Sequence, residues 1–69
     1  MRWECRYSSS EMMYLEVGTD DVRCYLHHSP SKADRWTFVD VLSGRHDAEA
    51  RNLFGDAAAE RLKAEVRRR

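Results

Sequence analysis

The sequence predicts an α+β domain: a four-stranded antiparallel meander followed by one or two helices packed on one sheet face. Three observations carry this reading. Apolar and polar residues alternate with period two in three successive segments of the first half. A fourth segment, Arg35–Leu42, is dense in aromatic and β-branched residues. From Arg45 onward, apolar residues recur at spacings of three and four. The boundaries are a sheet over about 2–43 and a helical segment over about 46–68, within one domain spanning residues 1–69.

In RWECRY, Trp3, Cys5 and Tyr7 alternate with Arg2, Glu4 and Arg6, which gives a strand with one buried face. Ser8, Ser9 and Ser10 form a polar turn. In EMMYLEV, Met13, Leu15 and Val17 share the inward face, and Met12, Tyr14 and Glu16 the outward one. Gly18-Thr19-Asp20-Asp21 suits a hairpin loop of four residues. In VRCYLHH, Val22, Cys24, Leu26 and His28 point inward, and Arg23, Tyr25 and His27 outward.

Residues 29–34 read as a loop, because Pro30 cannot donate to a ladder. The fourth strand has two plausible inner faces. Asp40 lies on the Trp36–Phe38 side, so Thr37, Val39 and Val41 are taken as core. Ala48, Ala50, Leu53, Phe54, Ala57, Ala58, Leu62 and Val66 form the helical stripe. Gly55-Asp56 interrupts it: as a C′ glycine and an N-cap the pair gives the preferred reading of helices at about 46–54 and 57–68, the alternative being one long helix that tolerates Gly55. Arg61 and Glu65 are expected to pair at i,i+4, and the terminal arginines suit the helix C-terminus.

Composition narrows the function classes. Twelve Lys and Arg balance twelve Asp and Glu, so neither a uniformly basic nucleic-acid binder nor an acidic mimic is indicated. The chain opens MRWECRY without an apolar leader core, and no apolar run approaches a membrane span. Two cysteines in such a chain are expected to be reduced thiols of a cytoplasmic protein. A Cys5–Cys24 disulfide would require the first and third strands to be neighbours; buried thiols are the simpler expectation.

Cys5, Cys24, His27, His28 and His46 are the candidate metal ligands. On a strand, Cys24 and His27 face opposite ways, as do adjacent His27 and His28, while Cys24 and His28 lie roughly 13 Å apart. No metal site and no cofactor are expected. Ser29 beside His28 is a sequence neighbour and not a geometric dyad, and the scattered glycines form no phosphate loop. No catalytic residue is assigned.

What remains is the outward sheet face. Tyr14, Arg23, Tyr25 and His27, joined by Trp36, are residue types enriched in protein-interface hot spots. A small domain with an uncovered aromatic face is expected to hide it against a partner, which includes a second copy of itself or a nucleoprotein complex. Aromatic and basic side chains on an open sheet also fit a single-stranded nucleic acid, with Arg67, Arg68 and Arg69 on phosphates or an acidic partner. In size and organisation, though through no particular residue, the chain resembles the compact stand-alone proteins that phages and mobile elements encode against host machinery, anti-CRISPR proteins among them. That likeness implies an inhibitor or adaptor that occludes a larger assembly without chemistry of its own. The leading expectation is therefore a non-enzymatic protein-binding module, and the alternative a small nucleic-acid-binding domain.

Overall fold

The computed structural model describes residues 1–69. Four strands, β1 (Arg2–Ser8), β2 (Glu11–Val17), β3 (Asp21–Leu26) and β4 (Asp34–Thr37), form one antiparallel sheet in the order β1-β2-β3-β4. Three helices follow: α1 (Phe38–Ser43), α2 (Asp47–Phe54) and α3 (Asp56–Arg67). A 3-10 turn over Pro30–Lys32 bridges β3 and β4.

Register follows from the side-chain alternation. Trp3 pairs with Leu15 and Leu15 with Cys24; Val17 pairs with Val22 and Val22 with Trp36. These residues share one face, and the helices cover it. The core joins Leu15, Val17, Val22, Cys24 and Trp36 from the sheet to Val41, Ala50, Ala59, Leu62 and Val66 from the helices, with Trp3, Met13, Phe38 and Phe54 packed at its margin. The β2–β3 hairpin has the expected four-residue loop, closed by Gly18 N–H donating to the Asp21 carbonyl at 2.8 Å.

The segment after Asp34 departs from expectation. The fourth strand ends at Thr37, and Phe38–Ser43 is helical. The Thr37 hydroxyl accepts from Asp40 N–H at 3.1 Å, and Gly44, at φ 90°, ends the helix in the left-handed region. The strand-preferring composition of FVDVL is overridden because a cap at each end lets one turn fold down and insert Val41. The inward assignment changes with it. Trp36 is 3% exposed and belongs to the core, whereas Thr37 is exposed and Val39 is 76% exposed.

The C-terminal half divides at Gly55, whose φ of 94° and ψ of 164° no ordinary helical residue adopts. Gly55 itself precedes α3 and Asp56 is its first residue, so the acidic side chain sits in the first turn and not at the cap. Ala50, Ala58, Leu62 and Val66 are buried as the stripe implies; Ala59 is buried too, while Ala48 and Ala57 face solvent. Lys63 ties α3 to α2 through Asp47 at 2.6 Å. Glu65 pairs with Arg68 at 3.0 Å and Arg69 at 4.0 Å, and not with Arg61. No helix is long and apolar enough to cross a membrane.

Candidate functional site: the open sheet face

The sheet face away from the helices is built by the even positions of β1 and β2 and the odd positions of β3. Glu4 pairs with Tyr14 and Tyr14 with Tyr25; Arg2 pairs with Glu16, Glu16 with Arg23 and Arg23 with Arg35. The Tyr14–Tyr25 pair on the two central strands thus lies beside a charged row that crosses all four. Acidic Glu16 sits between Arg2 and Arg23, the arrangement that relieves like-charge repulsion across strands.

Tyr14 is the hub. Its ring lies 5.4 Å from that of Tyr25, tilted by 39°, and the Arg2 guanidinium sits 4.6 Å over its centroid. Its hydroxyl is 2.9 Å from His27 Nδ1. These contacts leave Tyr14 only 9% exposed on a face without helices. Hydrogen bonding to Tyr25 is the main effect holding the Arg2 guanidinium in its charged form more firmly than usual; it outweighs desolvation, and the charges of Tyr25, Tyr14 and Glu4 add smaller contributions. Arg23 is half-buried: Nη2 donates to the Pro30 carbonyl at 3.5 Å, and Nε is shielded from water without a hydrogen-bond partner. Fixing a guanidinium this way spends polar desolvation on its position.

Tyr14, Arg23 and Tyr25 therefore come together on one surface, as their alternation implies, and His27, just past the strand end, joins them through the Tyr14 hydroxyl. Trp36 does not join them. It lies on the opposite face, stacked on the His46 imidazole with centroids 4.3 Å apart and planes 3° from parallel. Its parity with Val22, across the β3–β4 ladder, puts it under the helices. Arg2 was missing from the expected group, although its place in the period-two pattern already aligned it with Tyr14. Of the terminal arginines, Arg68 is engaged by Glu65, and Arg69 also donates to the Gly18 carbonyl at 3.3 Å.

The two histidines correct a second expectation. β3 ends at Leu26, and His27 and His28 are the central residues of a turn closed by Ser29 N–H donating to the Leu26 carbonyl at 3.0 Å. Strand alternation no longer applies there, so the rings do not diverge: they meet edge to face, 5.0 Å apart. His28 is exposed and not at the core rim, and its N–H donates to Glu11 Oε1 at 3.3 Å. No group of three or more His, Cys, Asp or Glu side chains converges as metal ligands. Cys5 and Cys24 are both free thiols. β2 lies between their strands, which separates them by about two strand spacings, roughly 9–10 Å and beyond disulfide reach.

The surface carries no pocket. Compared with family models, curated proteins and solved structures, the chain shows no significant match to any.

Proposed function

We propose that the chain is a non-enzymatic protein-binding module of the cytoplasm, an inhibitor or adaptor that occludes part of a larger assembly with the open face of its sheet. One observation carries this reading: Arg2, Tyr14, Tyr25 and His27 form a pre-arranged cluster on the face that the helices leave bare. Tyrosine and arginine held in fixed rotamers lose little entropy on docking, which is why they anchor interfaces.

The same geometry favours a protein partner over a single-stranded nucleic acid. Base stacking needs an open ring face, and the Tyr14 ring is covered by Arg2. Glu4 and Glu16 share the surface, and two of the three terminal arginines are engaged within the chain. A phosphate backbone would meet both signs of charge here.

Tyr25→Ala tests the reading. Tyr25 is half-buried on the outer face and lies outside the helix-covered core, so its loss removes one cross-strand pair with Tyr14 and lowers the melting temperature by only a few degrees. Affinity capture from the source cell should recover a partner with the wild-type chain and lose it with Tyr25→Ala. A parallel salt titration against single-stranded oligonucleotides should show no binding at low salt; tight, salt-dependent binding instead would move the function to nucleic acid.

A further inference from the structure

Strand β1 is an open edge of seven residues, bonded on one side only. Val17 N–H donates to the Met1 carbonyl at 3.0 Å, which fixes the phase of the β1–β2 ladder. In an antiparallel pair alternate residues bond inward. Met1, Trp3 and Cys5 therefore direct their main-chain groups to β2, while Arg2, Glu4 and Arg6 direct theirs outward. None of these three side chains takes part in an ion pair within the chain.

The opposite edge differs in each respect. β4 has four residues, runs directly into α1, and has its Arg35 paired with Asp21 at 3.8 Å. Short edges that run straight into a helix resist further pairing; long ones with free main-chain groups accept it when the partner strand supplies the opposite charges. β1 has no proline, and its one irregularity of pairing falls beyond Arg6.

We propose that β1 pairs antiparallel with β1 of a second copy of the chain, making a continuous eight-stranded sheet with Cys5 opposite the partner's Cys5. The register follows from three constraints. Outward main-chain groups must face outward ones, so the two-fold axis passes beside a residue and even positions oppose even positions. Centring on Glu4 sets glutamate against glutamate and Arg2 against the partner's Arg6, both repulsive. Centring on Trp3 matches charges but overlaps only residues 1–5.

Centring on Cys5 spans Arg2–Ser8, with the irregularity between Arg6 and Ser8 at each end of the overlap, and places Glu4 against the partner's Arg6, twice by symmetry. The half-buried Trp3 then lies opposite the partner's Tyr7, which falls at the irregularity and is 55% exposed in the single chain. A two-fold axis normal to the sheet keeps both helical layers on one side and makes the two aromatic-basic faces one surface. The inference stands on the edge alone and does not depend on what that surface binds.

Sedimentation velocity on the full chain, with circular dichroism as a check of folding, tests it. The wild type should sediment at twice the chain mass. Glu4→Arg and Arg6→Glu should each weaken dimerisation about tenfold or more, because each turns two attractive cross-strand pairs repulsive. An equimolar mixture of the two variants should associate again, since each then supplies the charge the other lacks. In the non-hydrogen-bonded Cys5 pair the Cα atoms lie about 4.5 Å apart, within disulfide range. Diamide should therefore link two chains through Cys5, the two thiols giving two electrons and two protons to the azo group, which becomes the hydrazine. A wild type that stays monomeric at its highest soluble concentration overturns the proposal. So does a dimer indifferent to Arg6→Glu, or one that diamide does not link through Cys5.

Discussion

Tyr14 and Cys24 show how far single residues can be read. Parity alone puts Tyr14 outward, and it is outward; its burial comes from Arg2, Tyr25 and His27 closing over it, which depends on neighbouring strands. Cys24 was legible as a small inward hydrophobe, and its environment gives it a measurable signature. Burial, assisted by the negative charges of Glu49 and Asp34 and by Cys5, pushes its thiol up to about 11 from 9.0. The folded state thus favours the neutral thiol. Above pH 9 the unfolded chain gives up this proton and the folded chain retains it, so the unfolded state binds fewer protons and stability falls as pH rises. The contribution is fully present below pH 9 and lost on rising through 11. Urea melts across that window should show a steeper decline for the wild type than for Cys24→Ala. Parallel curves would mean that the thiol is as free to ionise in the fold as outside it.

At the scale of elements, punctuation was easier to read than composition. Gly55 divides α2 from α3 because its φ of 94° and ψ of 164° lie where only glycine is comfortable, and a glycine between two helical patterns is a local signal. A Cβ at Gly55 would meet nothing within 4 Å, so the cost of Gly55→Ala is conformational and not steric. It should destabilise by about 1–3 kcal/mol, read from the urea midpoint at unchanged slope. A neutral result would indicate that the two helices merge through the new alanine. The fourth strand shows the opposite case. Its Phe, Val and Trp content spoke for strand, and the contrary evidence was slight: Thr37 three residues before Asp40, then Gly44, a cap and a stop about two turns apart. A helix of six residues has too little hydrophobic periodicity to outweigh composition. The His27-His28 turn escaped for a related reason. Pro30 marked the loop, but the strand had already ended at Leu26, and the alternation was carried two residues too far.

At the scale of the whole molecule, the misread strand end exchanged a core residue for a surface one, and the small core makes that exchange consequential. Twelve of the 69 residues are buried. At about 0.05–0.15 kcal/mol per residue, a chain of this length has a total stability of only about 3–10 kcal/mol. Trp36 is where the sheet, α1 and the residues before α2 meet: it pairs with Val22, immediately precedes the Thr37 cap and stacks on His46. Truncating a buried tryptophan costs about 3–5 kcal/mol, comparable with the entire margin. Trp36→Ala should therefore leave a largely unfolded chain at room temperature, with far-ultraviolet circular dichroism lost and no cooperative melt. Val39→Ala, at a position 76% exposed, should move the urea midpoint by no more than about 0.5 kcal/mol equivalent. If instead Val39→Ala unfolds the chain and Trp36→Ala does not, residues 35–42 form the continuous strand that their composition suggests, with Thr37, Val39 and Val41 turned inward.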